Sequence, residues 1–114
     1  MKSLFRKLTY KKLSQVQLNG NVLDLGGIKD AEYHKIIKGS NIFTTANINK
    51  DTNPDILLNL EDNRLPIEAE VYDFVTLINL LEHIYNYDSL IKESFRVDGR
   101  TRISRIIILE SNKN

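Results

Sequence analysis

The chain has 114 residues, including two prolines, five glycines and no cysteine. This length suits one domain with a single core, and 41% hydrophobic with 27% charged residues argues against disorder, collagen and coiled coil. The absence of cysteine excludes disulfides, thiolate nucleophiles and cysteine metal sites. Sixteen basic and fifteen acidic residues leave a net charge of +1, so bulk charge indicates no nucleic-acid partner.

Residues 1–20 are predicted to form a basic helical segment. Its cations are Lys2, Arg6, Lys7, Lys11 and Lys12, and no acidic residue precedes Asp24. The near-helical spacing of Leu4, Phe5, Leu8 and Leu13 predicts an amphipathic helix that packs on the domain and turns its lysines to solvent. The alternative is a membrane-surface or targeting helix. Because no apolar run is long enough for a membrane span and no export signal is present, we expect a soluble, cytoplasmic protein.

From residue 21 to residue 114, short apolar runs alternate with amphipathic segments. Residues 21–25, 41–48, 55–60, 71–79 and 103–109 are predicted to be strands, and residues 30–38 and 87–97 helices. This alternation indicates one α/β domain with a mostly parallel sheet. Ligands of such sheets bind beyond the carboxyl ends of the strands, so functional residues are expected just after Leu25, Ile48, Leu58 and Asn79.

Two polar turns stand at such positions. The first strand ends in Asp24-Leu25-Gly26-Gly27, where glycines let the backbone approach a ligand. Asn49 follows the second strand, 23 residues beyond Gly26, close to where dinucleotide-binding proteins place an acid that accepts from ribose hydroxyls. An ordinary turn is the alternative interpretation of each.

Four further residues are candidates for binding or proton transfer. Glu61 and Asp62 follow the third strand, where a carboxylate can accept from an adenine amino group, although a solvated acidic turn gives the same pattern. Asn79 ends the fourth strand, and His83 is a candidate proton acceptor or, alternatively, orients a loop. The second histidine, His34, is predicted to be solvated. Two distant histidines predict no metal site.

Taken in order, these elements resemble a class I S-adenosylmethionine-dependent methyltransferase with a methyltransferase type 11-like domain. The resemblance runs through NVLDLGG, the Leu65-Pro66-Ile67 loop, YDFVTLINLLEHI and a helix containing ESFRV, over about residues 21–97. It implies a Rossmann-like three-layer sandwich with strand order 3-2-1-4-5, S-adenosylmethionine as cofactor, and methyl transfer to an unidentified acceptor.

The resemblance also assigns site residues. It implies that Asp24, Gly26 and Gly27 flank the methionine part of the cofactor and that Asn49 faces the ribose. In the same way, Glu61 or Asp62 faces the adenine, and Asn79 lies near the sulfonium.

The chain departs from the family pattern at three places. Ile28 and Asp30 stand where the glycine series usually continues, and Asn49 replaces the usual acidic ribose ligand, which predicts weaker binding. Residues 98–102 (DGRTR) replace the usual Leu-Lys-Pro-Gly-Gly turn. Only the strand 103–109 follows, so we expect the terminal strand pair of the full fold to be missing.

The alternative function is therefore a truncated or degenerate domain that binds the cofactor weakly or serves as a structural or interaction module. A nicotinamide-nucleotide binder is disfavoured because the G-x-G-x-x-G pattern is absent. In the order 3-2-1-4-5 the strand 103–109 lies at an edge, where unpaired backbone groups predict self-association.

Overall fold

The structure, a computed structural model, describes residues 4–69, 71–98 and 106–110. The helices are α1 (Leu4–Leu13), α2 (Glu32–Ile36) and α3 (Tyr87–Asp98), and short 3-10 helices span Lys50–Thr52 and Leu81–His83. The strands are β1 (Gly20–Leu25), β2 (Asn41–Asn47), β3 (Ile56–Leu57), β4 (Phe74–Ile78) and β5 (Ile106–Leu109). Residues 99–105 lie outside the described residues. They include residues 99–102 of the DGRTR turn and the first residues of the predicted last strand. None of the helices described is both long and apolar enough to cross a membrane.

The five strands form one sheet in the order β3-β2-β1-β4-β5, which confirms the predicted order. Every neighbouring pair is parallel. Strand order reverses beside β1, which pairs with β2 on one side and with β4 on the other. In parallel sheets this reversal opens a crevice at the carboxyl ends of the strands.

Side chains alternate along each strand, so the sheet buries two separate apolar layers. Under α3, Leu23 and Leu25 of β1 pack with Val75 and Leu77 of β4 and with Leu90 of the helix. On the opposite face, Val22 packs with Leu13 of α1 and with Leu18 and Ile37, and Phe74, Ile78 and Ile107 border the cluster. The helices thus cover both faces, and the protein is a Rossmann-like three-layer α/β sandwich.

The helix predicted over residues 30–38 is shorter in the structure. Asp30 has a left-handed φ of 59°, and Ala31 is extended in ψ at 146°, so the helix begins only at Glu32. At the other end Ile37 is extended, because Lys38 pairs with the segment around Gln17: its N–H donates to Val16 O at 3.0 Å. Pairing with a distant segment therefore ends the helix.

The third strand is also shorter than the predicted 55–60, since β3 holds two residues. Asp55 uses its carboxylate to accept from the Thr45 N–H at 2.9 Å, and Leu58 and Leu60 turn into the layer beneath α3. The strand predicted over 71–79 likewise begins only at Phe74. Apolar composition predicted both strands, but burial in the core does not require every apolar residue to pair in the sheet.

The N-terminal helix packs on the domain through Leu13, as predicted, but Leu4 and Leu8 do not take part, and the predicted contact of Phe5 lies outside the described side chains. Thr9 and Leu13 are buried, at 4% and 0% exposure, whereas Leu4 and Leu8 are 67% and 47% exposed. The prediction that Leu4 and Leu8 pack on the domain is wrong. Positions i and i+4 share a helix face, so the buried face of α1 runs through Thr9 and Leu13.

An ion pair holds the Leu65-Pro66-Ile67 loop against α3. Glu93, 7% exposed, accepts from the Leu65 N–H at 2.7 Å and from the Arg96 guanidinium at 2.9 and 3.0 Å. Arg96 also donates to the carbonyls of Leu65 and Ile67, at 3.0 and 3.2 Å. The E-x-x-R spacing in ESFRV thus places both partners on one side of α3, where they fasten the loop.

Candidate functional site

A cleft of about 570 Å³ opens at the carboxyl ends of β1 and β4, where strand order reverses. This volume lies within the roughly 300–1,000 Å³ of small-molecule sites. The floor consists of Gly26 and Gly27 after β1 and of Ile78 and Asn79 at the end of β4. The walls come from α1, through Arg6, Thr9 and Tyr10, and from residues 28–33.

The glycine turn of the floor has no room for side chains. Gly26 has a φ of 79°, and a Cβ placed on it would lie 2.5 Å from a methyl carbon of Leu80. A Cβ on Gly27 would overlap the carboxylate of Asp24. The turn thus contributes backbone without side chains to the cleft lining.

Asn47, which is not among the predicted site residues, holds this turn in place. Its amide nitrogen donates to the carbonyls of Gly26 and Gly27, both at 3.1 Å. The Gly26 N–H in turn donates to Ala46 O at 2.6 Å. The parallel pairing of Leu25 with Ala46 is what brings the end of β2 beside the glycines. The sequence signal for this role was a polar residue directly after Ala46, the residue that pairs with Leu25.

Asp24 lies beneath the floor and is fully buried. Thr76 donates its hydroxyl to one carboxylate oxygen at 2.8 Å, the Tyr33 hydroxyl donates to the other, and His34 Nε2 lies 2.7 Å from that same oxygen. Burial and the neighbouring Asp24 carboxylate raise the pKa of Tyr33. Asp24 is therefore bound within the protein, and it is Tyr33 that reaches the cleft lining.

His34 is not solvated as predicted. Its side chain is 9% exposed and stacks on Phe43 with ring centroids 4.1 Å apart. The prediction was wrong because it placed His34 on the solvent face of a longer amphipathic helix. In the structure α2 is short, and His34 lies against Asp24.

Asn79 is the unusual residue of the floor. Its backbone is left-handed, with a φ of 52°, and its N–H donates to Leu109 O at 2.6 Å. Its side-chain Oδ1 is buried and, among the described residues, is the buried side-chain polar atom that lacks a hydrogen-bond partner. Such an atom costs stability unless a ligand or water supplies a donor, and strained backbone of this kind concentrates at functional sites.

Two of the other predicted site residues are engaged elsewhere and do not line the cleft. Asn49 caps the 3-10 helix that follows β2, because its Oδ1 accepts from the Asp51 N–H at 3.0 Å. Glu61 caps the start of α3: its carboxylate accepts from the N–H groups of Tyr85 and Asn86, at 2.9 and 2.8 Å. These contacts give both residues a structural role.

The last two predicted residues also lie outside the cleft lining. Asp62 is exposed in the turn after β3. His83 has a side chain that is 71% exposed, and its Nε2 lies 3.7 Å from the Glu82 carboxylate. The structure therefore gathers Gly26, Gly27 and Asn79 in one site with Asp24 beneath it, and leaves these two apart.

Residues of α1 complete the site and were missed as site residues. The Tyr10 hydroxyl donates to the Glu32 carboxylate at 3.0 Å and so joins α1 to α2 at the cleft wall. Burial, together with this bond to Glu32, raises the pKa of Tyr10. The signal was present in the sequence, since Arg6, Thr9 and Tyr10 are spaced as one helix face.

Comparisons of the chain with protein-family models, curated proteins and solved structures find no significant match.

The charges that line the cleft are mixed. Arg6 and Lys29 supply cations, and Asp30 and Glu32 supply carboxylates. Lys29 also lies 3.7 Å from Asp55 outside the cleft. A lining with both signs suits a ligand that itself carries both an ammonium and a carboxylate, more than it suits a polyanion.

Proposed function

We propose that this chain binds S-adenosylmethionine in the cleft and is a methyltransferase domain acting on an unidentified acceptor. One observation carries the proposal: where the order of a 3-2-1-4-5 parallel sheet reverses, a glycine turn and Asn79, whose buried Oδ1 lacks a partner, line the same cleft. Ligands of parallel α/β sheets bind at this place.

The cleft residues match the amino-acid part of this ligand. Gly26 and Gly27 would let it approach the backbone closely, and Asn79 Oδ1 would accept a hydrogen bond from its ammonium group. Arg6 and Lys29 supply positive charge in the same lining for its carboxylate. The ligand supplies a methyl group on a positively charged sulfur.

Methyl transfer from a sulfonium is a direct displacement, so the protein contributes mainly by positioning the acceptor in line with the methyl group. A base is needed only for an acceptor that must lose a proton. His83 lies outside the cleft lining, so the proposal assigns it no proton transfer.

A second candidate is a methyltransferase-like domain that binds the cofactor weakly or serves as a structural module. The observation that favours it is the engagement of Asn49 and Glu61 as caps, which occupies two of the groups expected to hold the ribose and adenine. Weak binding without transfer to any acceptor would support this candidate over the first.

Calorimetric titration and thermal shift with S-adenosylmethionine and S-adenosylhomocysteine test the proposal. Replacing Asn79 by glycine keeps the left-handed backbone favourable but removes the acceptor oxygen, so affinity should fall roughly ten- to a hundredfold, the worth of one hydrogen bond to a charged group. The free energy of unfolding without ligand should stay unchanged or rise, because a buried unpartnered oxygen is lost.

Asn79→Asp is the matched control. Aspartate tolerates the left-handed region and keeps an acceptor oxygen, so binding should be retained. Absence of heat and of a thermal shift at millimolar ligand would refute the methyltransferase and the weak cofactor binder and would leave the structural module. Equal affinity of Asn79→Gly and the wild type would refute the assignment of Asn79.

A further inference from the structure

The outer face of α1, defined here as Leu4, Lys7, Leu8, Lys11 and Lys12, points away from the sheet. All five residues are exposed, whereas Thr9 and Leu13 on the opposite side are buried. Successive residues of a helix are about 100° apart, so Leu4 and Leu8 lie side by side at the centre of this face. By the same geometry, Lys7 and Lys11 border the leucines on one side and Lys12 on the other.

This arrangement differs from scattered surface leucines, which are common and need no explanation. The two leucines are neighbours, lysines border them on both sides, and α1 contains no acidic residue. Neither leucine serves the cleft, which α1 contacts through Arg6, Thr9 and Tyr10. Among the residues that the structure describes, the face therefore packs against no other element and lines no part of the cleft.

We propose that the outer face of α1 docks on an anionic lipid surface. Helices that lie in a bilayer interface insert their apolar residues at the boundary of the acyl chains, while flanking lysines reach up to acidic headgroups. A leucine pair between lysines fits that layering. The inference does not depend on which ligand the cleft binds.

Two other partners fit this face less well. A nucleic acid would use the lysines on phosphates but would leave the leucines without an apolar contact. A second copy of the face would bring lysines against lysines, and like charges in contact oppose association. An acidic bilayer is the partner that satisfies both kinds of side chain.

Vesicle sedimentation of the full chain tests the proposal. The protein should sediment with phosphatidylcholine vesicles that contain about a third phosphatidylserine, but not with vesicles of pure phosphatidylcholine. Added salt should reduce binding, because screening weakens interactions between exposed charges. The variant Lys7→Glu/Lys11→Glu and the variant Leu4→Gln/Leu8→Gln should each lower the partition coefficient at least about tenfold.

Matched variants control for charge and for hydrophobicity. Lys50→Glu/Lys92→Glu makes the same charge change at exposed lysines on other elements, and Ile48→Gln/Leu57→Gln removes two side chains that are 61% and 59% exposed. Both should bind the acidic vesicles as the wild type does. Circular dichroism and unfolding midpoints that match the wild type show that the variants are folded.

Three outcomes would overturn the proposal. One is failure of the folded wild type to bind acidic vesicles. Another is an equal loss of binding in the control variants, which would make the effect one of total charge or hydrophobicity. The last is a protein that does not bind the vesicles but binds duplex DNA instead, or that forms a dimer which the variant Leu4→Gln/Leu8→Gln disrupts.

Discussion

Replacing Arg96 by methionine should lower the free energy of unfolding by about 3 kcal/mol. Methionine keeps much of the stem but removes the donors to both Glu93 oxygens and to the carbonyls of Leu65 and Ile67. The Glu93 carboxylate then keeps only its hydrogen bond from the Leu65 N–H among those described, although the residue is 7% exposed. Breaking a buried pair typically costs about 3–5 kcal/mol, and we take the lower end because the Arg96 side chain is 23% exposed.

The effect should depend on pH. Hydrogen bonds from Arg96 hold the pKa of the Glu93 carboxyl below its usual value. A lowered folded-state pKa contributes stability that is complete above the unfolded-state pKa and disappears as pH falls through the folded-state pKa. The difference in stability between wild type and Arg96→Met should therefore be largest near neutral pH and shrink in the acid range.

Urea unfolding at neutral pH and at a series of acidic pH values measures this difference. Lys92→Met on the same helix is the control, because Lys92 is exposed. If Arg96→Met costs no more than Lys92→Met, or if its cost does not change with pH, then the ion pair does not fasten the loop in the way described.

Two further predictions concern the glycine turn and the sheet edge. Gly27→Ala should lower the free energy of unfolding by about 1–3 kcal/mol and abolish the heat of ligand titration, because the new Cβ would overlap the Asp24 carboxylate. A variant that is as stable as the wild type and binds the ligand would contradict the geometry of the turn. Edge strand β5, where Ile108 is 43% exposed, should pair with a second copy. Ile108→Lys should then weaken self-association at least about tenfold by sedimentation velocity, whereas a wild type that stays monomeric at all concentrations would refute the pairing.

The sheet could be predicted because each strand carries its signal locally. Residues 21–25 and 41–48 are short apolar or β-branched runs between turn residues, and the order of strands follows from the family resemblance together with right-handed crossovers. The end of α2 could not be predicted in this way. Ile37 continues an apolar helical pattern, and what stops the helix is a backbone hydrogen bond to Val16, 22 residues before Lys38.

The site residues show the same difference between local signals, which the sequence carries, and distant contacts, which it does not. The bare glycine turn follows from its own residues, and Asn79 follows from its place at a strand end. The role of Glu61 depends on N–H groups 24 and 25 residues away, at Tyr85 and Asn86. An acidic residue in a loop looks the same in sequence whether it awaits a ligand or caps a distant helix.

The burial of Asp24 has a consequence for how the sheet assembles. A shift of β1 by one residue against its neighbours would exchange its two faces and move this carboxylate from Thr76 and Tyr33 into the leucine layer under α3. Burial of this carboxyl group there without a partner would be costly, which disfavours a shift of the central strand by one residue. We therefore expect Asp24 to oppose a one-residue shift of β1 during folding, and this effect does not require a ligand in the cleft.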